Sequence, residues 1–384
     1  MFERGMIRWS EGGEMNGGSV LDILFWFIML ALYAYFYREL EVWRILKDIE
    51  RHLQLYRSIR DKAVSTTLNT FKQVAAKSKS KLDIKDLEGR VRNLIEYVFI
   101  EPVNLDPYGI VSKLKHLMLT GESVATQEVK RLLPNAARVD IENLKDLIEA
   151  SRYLNLIFKS VDHNYRLGRK FKSIWLLYQL QALLPFLTEE VRALESSLEA
   201  FTNGFPIGDS AGPLTAAKLI NKYSKMPIIR EIAENTIATE LLFENRKIVV
   251  IKAKGPSGVT GRLDDAILKV IEENPDIKMI ITVDAALKFE GETTGMIAEG
   301  VGVAMGGIGV ERFNIEKLAT DRKIPLYAIL IKMSEPEALA VMDKKIYDAT
   351  ERALAKIEQI IRERSNPGDT VLVVGVGNSI GVYP

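Results

Sequence analysis

Four short apolar runs constrain the fold of this chain more than any other feature: KIVVIKA (247–253), KMIITVD (278–284), IPLYAILI (324–331) and TVLVVGV (370–376). They are rich in β-branched residues, and segments with helical periodicity separate them, among them Leu214–Tyr223, Arg262–Glu273 and Pro336–Arg364. A strand buried on both faces reads as a continuous apolar run, and parallel neighbours need crossover helices. The pattern predicts a three-layer α/β domain over 205–384 with a mostly parallel sheet. In such sheets ligands collect beyond the carboxyl ends of the strands. The residues just after each run are therefore the candidates for function.

Composition narrows the chemistry those residues can do. The chain of 384 residues has no Cys, and its three His (His52, His116, His163) all precede the α/β region. Disulfides, thiolate nucleophiles, Ser-His-Asp triads and HExxH zinc sites are excluded there. The 52 Lys+Arg balance 51 Asp+Glu, so no basic surplus points to nucleic acid. No G-K-[ST] phosphate loop appears, and no G-x-G-x-x-G follows the first run, so neither a cofactor nor a metal is singled out.

What remains is carboxylates, backbone amides and a few cations. The first run leads into KGPSGVTGRLDDA, where Gly255, Gly258 and Gly261 could present N–H groups to an anion at a helix N-terminus. The second ends at Asp284, and the last leads into GVGNSIGVYP with Gly377 and Asn378. PIGDSAGPLTAAKLI puts Asp209 just before a helix, where it could also be an ordinary N-cap. Lys252, Lys254, Lys288 and Arg262 are cations available to a phosphate or carboxylate, and Glu292, Glu299 and Glu311 are further acids.

The other end of the chain points to a membrane. Val20 to Tyr37 reads VLDILFWFIMLALYAYFY, with Asp22 as its single charge. As a helix it would rise about 27 Å, close to the bilayer's apolar thickness of about 30 Å. Arg38, Arg44, Lys47, Arg51, Arg57, Arg60 and Lys62 follow it, whereas acidic residues dilute Arg4 and Arg8 before it. The positive-inside rule then predicts a single-pass protein of the cell membrane, with 1–19 a short extracytoplasmic tail and the bulk cytoplasmic. Residues 20–37 would have the lipid bilayer as partner.

The middle of the chain looks helical and free of chemistry. Val42, Leu46, Ile49, Leu53 and Tyr56 form a short heptad-like stripe, either an internal packing face or a seam for self-association through 42–56. Residues 38–85 are expected to be a juxtamembrane helix ending in a Lys/Ser-rich linker from Leu68 to Lys85, and 86–204 a helical domain punctuated by Pro102, Pro107, Pro134 and Pro185. The cluster Arg166, Arg169, Lys170 and Lys172 could touch anionic lipid, although a solvated charged face is the ordinary explanation.

The motifs of the C-terminal region resemble a known family. GPSGVTG, NPDIKMIITVDAAL, GETTGMIAEGVG and KIPLYAILI look like the core of the spore germination protease. They are similar, more distantly, to the hydrogenase maturation endopeptidases. PIGDSAGPLTAAKLI resembles the germination protease's other Asp signature. The resemblance implies functional roles for Asp209 and Asp284. In that family a Gly-x-Gly-Asn strand directly precedes the first Asp signature, whereas here GVGNSIGVYP closes the chain. A circular permutation is implied, with the last strand in the place of the usual first one and Asn378 beside Asp209. The whole chain also resembles an uncharacterised family of archaeal membrane proteins, which implies no activity.

Three function classes stay open. Two carboxylates across a cleft can share a proton and activate water without any His, as in an aspartic-type peptidase or hydrolase. The same glycine turns could instead serve a module binding a peptide or a small anionic ligand, or the fold could be a membrane-tethered scaffold without catalysis.

Overall fold

A computed structural model describes residues 20–80, 84–98, 100, 102–103, 105, 109–307 and 309–383; the tail expected at 1–19 lies outside them. Helix α1 (Val20–Ser78) runs unbroken for 59 residues. Its first part is apolar apart from Asp22, and none of the described residues covers it: Trp26 is 71% and Tyr33 68% exposed. Among the described residues α1 is the one helix long and apolar enough to cross a membrane.

From Ile45 the helix becomes one-sided and enters a bundle. Ile45, Ile49, Leu53, Tyr56, Ile59 and Ala63 are buried against α4 (Arg138–Phe171) and α5 (Ile174–Asn203). The heptad-like stripe is thus packed within the chain. The linker expected at 68–85 is corrected, since α1 continues through it to Ser78. Leu68, Phe71, Val74 and Ala75 are buried, and Thr67 meets Ser151 at 2.9 Å. Only the outward face carries the Lys/Ser character, which hid the apolar period. The bundle therefore starts inside α1, not at 86. Helices α2 (Ile84–Ile95) and α3 (Ile110–Leu132) complete it. Pro134 lies in the α3–α4 turn, but Pro185 sits inside α5 without ending it.

After a short 3₁₀ turn (Gly208–Ser210) and α6 (Ala211–Tyr223) comes a seven-stranded sheet of order β1-β2-β3-β7-β4-β6-β5. The strands are β1 Arg230–Ala233, β2 Thr236–Phe243, β3 Arg246–Ala253, β4 Ile277–Leu287, β5 Ile297–Val301, β6 Leu326–Met333 and β7 Thr370–Gly375. The four apolar runs form the parallel centre β3-β7-β4-β6, and β1, β2 and β5 add antiparallel edges. The sheet is therefore mixed, parallel at its core. The β2–β3 hairpin turns at Glu244 and Asn245, both with positive φ, the geometry a two-residue loop needs. Helices α6 and α10 (Lys344–Arg364) cover one face, and α7 (Leu263–Glu273) and α8 (Val310–Arg322) the other. The helix expected over Pro336–Arg364 is two, a short α9 (Glu335–Leu339) and α10.

The last strand is central, paired on both sides. The tail after it returns to the start of the domain: Gly381 lies against Pro206 and the Gly204 carbonyl, and Ser210 Oγ donates to the Ile380 carbonyl at 3.4 Å. In space β7 and α6 form a strand–turn–helix unit whose covalent link is missing. The expected meeting of Asn378 and Asp209 is observed.

Candidate functional site

Glycines at the carboxyl ends of β7 and β4 allow several backbones to converge. A Cβ on Gly375 would stand 2.6 Å from the Gly212 carbonyl oxygen; one on Gly212 would stand 2.1 Å from that of Val376 and 2.4 Å from that of Val283. The N-terminus of α6 is thus seated directly on the two strand ends. Gly377, at φ 126°, lies against the Asp209 carbonyl, where a Cβ would be 2.1 Å away. This close approach aims the next amide, Asn378 N–H, at Asp209 Oδ2 at 2.7 Å. Asp209 is therefore no helix cap. The N-cap of α6 is Ser210, and the Asp209 carboxylate is held by a group 169 residues away.

Asp284 lies within β4, one residue beyond Val283, which pairs with the last residue of β7. Its side chain stands past the end of the central strand. Asp209 and Asp284 line one cavity of about 290 Å³ together with Thr260, Arg262, Gly377 and Glu311. Met118 and Glu122 of α3 form its roof. None of the α3 residues before Ala125 is buried. That half of the helix is fastened by charge: Lys115 reaches Asp264 and Asp265 at 2.8 Å each, and Glu122 pairs with Arg262.

Burial raises the pKa of both aspartates, because a carboxylate loses hydration it does not regain in full. For Asp284 the charge of Asp209 adds to burial and lifts it well above the ordinary range, against the N–H groups of Ala285 and Gly306. The Asn378 N–H favours the ionised form of Asp209. Two acids whose charges oppose each other ionise in sequence rather than together, so the pair holds a shared proton over a range of pH. Glu311, on the same wall, is pushed up to about 7 by burial and then by Asp264, against Arg262 and Lys115.

Two more acids stand at the site, one that the sequence could not single out and one that it gave no sign of. Glu311 was one of three undistinguished glutamates; Glu292 pairs with Lys332 and Glu299 with Lys356 and Arg364, leaving Glu311 at the site. Asp146 comes from α4, in a stretch with no recognisable motif. Its Oδ2 accepts from Asn378 Nδ2 at 3.2 Å, and burial pushes its pKa to about 8. Asn378 thus touches an acid of each domain. No local signal in the sequence could have paired residues 232 positions apart.

The proposed binding glycines divide. Gly258 and Gly261 line an adjoining cavity of about 400 Å³ between α4 and the 254–262 loop, with Asn378 and Asp146. Gly258 N–H is already taken by Asn143 Oδ1 at 3.0 Å, and Gly261 packs on Thr236 and Asn235. Gly255 lines neither cavity and lies against the Val382 carbonyl, in the packing of the C-terminal tail. The four cations do not converge either. Lys252 is buried with its Nζ on the Ala253 carbonyl, Lys254 pairs with Glu231, Lys288 with Glu337 and Arg262 with Glu122. An anion entering here would have to displace a carboxylate. Among the described residues no group of three or more His, Asp or Glu side chains could hold a metal ion.

Two family models match the chain, "Protein of unknown function (DUF1512) N-terminal domain" over residues 23–204 and "Domain of unknown function (DUF1512) C-terminal" over 207–383. The chain belongs to the DUF1512 family. The break between the DUF1512 models, at 204–207, coincides with the end of α5 and the start of the α/β domain. Among curated proteins none matches the chain, so the germination-protease resemblance has no counterpart there. Among solved structures, a Mycobacterium tuberculosis proteasome-assembly chaperone homologue is similar at 15% identity, over 42% of this chain and 84% of that chain. Its TM-score of 0.29 supports no argument about fold or activity.

Proposed function

We propose that this chain is a membrane-anchored hydrolase whose α/β domain uses Asp209 and Asp284 as an acid–base pair. The observation that carries the proposal is that the two carboxyls line one cavity and that the charge of one raises the pKa of the other. In this scheme ionised Asp209 accepts a proton from a water, the water oxygen bonds to the substrate carbonyl, and Asp284 delivers its proton to the carbonyl oxygen or leaving group. The germination-protease resemblance suggests a peptide substrate. The small cavity and the α3 roof favour a small molecule or a chain end over an extended polypeptide.

The test is a panel of small esters, amides and short peptides offered to the full chain. Turnover by the wild type should fall about 10²–10⁴-fold in both Asp209→Asn and Asp284→Asn, with unchanged melting behaviour. Turnover indifferent to both substitutions would overturn the proposal. A second reading, a binding module, is favoured by the adjoining cavity of about 400 Å³. It predicts a ligand-induced rise in melting temperature without turnover.

Anchoring through residues 20–37, with the N-terminus outside, belongs to the same proposal. It is supported by the uncovered apolar surface of α1 and the basic residues that follow. A chain lacking 20–40 should leave the membrane fraction, and its retention there would refute this part.

A further inference from the structure

We infer that the tip of the α4–α5 hairpin is a second membrane contact, seated in the headgroup layer of an anionic bilayer beside the point where α1 enters it. This rests on the proposed anchoring by α1.

The position follows from contacts along the bundle. Helix α5 runs parallel to α1: Tyr178 bonds Glu41, Gln181 Nε2 donates to Asp48 at 2.7 Å, and Tyr56 reaches Leu184 and Thr188. Helix α4 runs the other way, with Tyr165 at Glu50 and Thr67 at Ser151. Trp175 precedes Tyr178 by three residues, about 4.5 Å of helix. The tight turn at Lys172–Ser173 therefore lies at the level of Arg38, just where the apolar run of α1 ends.

The tip carries what such a level selects. Phe171 is 66% exposed and Trp175 72%, two large aromatics at a hairpin end that none of the described residues covers. Amphipathic aromatic rings favour the membrane interface. Around them stand Lys170 and Lys172, which form no ion pair among the described residues, whereas neighbouring Arg166 is paired with Asp162 and Arg169 turns to the Tyr165 hydroxyl and Glu50. Lys170 lies over the Phe171 ring at 5.4 Å. Clustered basic residues next to a span are attracted to anionic lipid. A charged, solvated turn has no use for two exposed aromatics, and a purely apolar patch has no use for two lysines without an acidic partner. Both together, at this height, fit a lipid surface.

The absence of Cys makes the test direct, since single cysteines can be labelled in the full chain. Leu30→Cys, Trp175→Cys and Arg192→Cys each receive an environment-sensitive fluorophore, in vesicles of phosphatidylcholine with or without phosphatidylglycerol. Arg192 is exposed on α5 about 25 Å from Trp175. Lipids spin-labelled deep in the acyl chain should quench position 30. Headgroup-labelled lipids should quench position 175 severalfold more than 192, most strongly with phosphatidylglycerol. Adding Lys170→Glu and Lys172→Glu should reduce quenching at 175 and leave position 30 unchanged. Quenching at 30 without quenching at 175 overturns the inference and leaves the anchor standing. No quenching at either position overturns both. Equal quenching at 175 and 192, or a buried but unquenched label at 175, also overturns it, the latter in favour of a second copy of the chain.

Discussion

Lys252 is the least comfortable residue in the sheet. It is fully buried in β3, its ammonium bonds only to the neighbouring Ala253 carbonyl, and burial lowers its pKa to about 8 from 10.5. A base whose folded pKa is depressed destabilises the fold wherever the unfolded chain holds the extra proton. The penalty is full below pH 8 and fades as pH rises through 8 towards 10.5. Lys252→Met should therefore raise the unfolding free energy by about 3 kcal/mol at pH 7 as an upper figure, with the gain shrinking above pH 8. Urea titrations at several pH values measure this. An Asp209 or Asp284 carboxyl is the mirror case: its raised pKa costs stability as pH rises from the ordinary carboxylate range towards the folded value. Such strain at a cavity wall suits a working group better than a structural one.

Among the elements, α3 is the one built to move. Its second half is anchored by buried Ala125, Val129 and Leu132, but its first half covers the cavity with no buried residue. Ion pairs hold it down: Lys115 bridges the exposed Asp265 and the buried Asp264, and the exposed Glu122 meets Arg262. Residues 110–124 should exchange amide hydrogens well before 125–132. Lys115→Ala, which releases Asp264 and Asp265 together, should speed that exchange by about three- to tenfold while leaving α4 unchanged. Exchange as slow as in α4 would show a rigid roof. The last turns of α1, Leu68–Ser78, are the opposite case. Their buried face recurs every three to four residues, but the Lys and Ser between those positions dominate a reading by composition.

At the scale of the whole molecule, the chain ends with its most central strand. β7 pairs with β3 and β4, and its side chains Val371 and Val373 enter one core while Leu372 and Val374 enter the other. Removing 370–384 should abolish folding of the α/β domain, measured by loss of its cooperative melting transition, where an edge strand would be dispensable. The converse also holds. A permuted α/β domain with residue 383 linked to 206 by a few glycines, and new ends opened at the Glu244–Asn245 turn, should fold, because Gly381 already touches Pro206. A permuted chain that stays unfolded in solution would refute the equivalence of β7 and α6 to a connected unit.

Periodicity and residue type alone determined the parallel strands, most of the helices, the exposed apolar run and two candidate aspartates, one at a strand end and one just before a helix. These are local properties, written in alternation, β-branching and charge. The antiparallel edges, the continuous α1 and the split of α9 from α10 depended on packing partners distant in the chain. Tertiary structure also decided which acids share a cavity. It selected Glu311 from three candidates and brought in Asp146 from the helical domain. It freed Asp209 from the role of a cap, buried Lys252 against a carbonyl, and paired Lys254, Lys288 and Arg262 with carboxylates. Distance along the chain is the reason: charge and desolvation act through space, over a few ångströms that only the fold brings about.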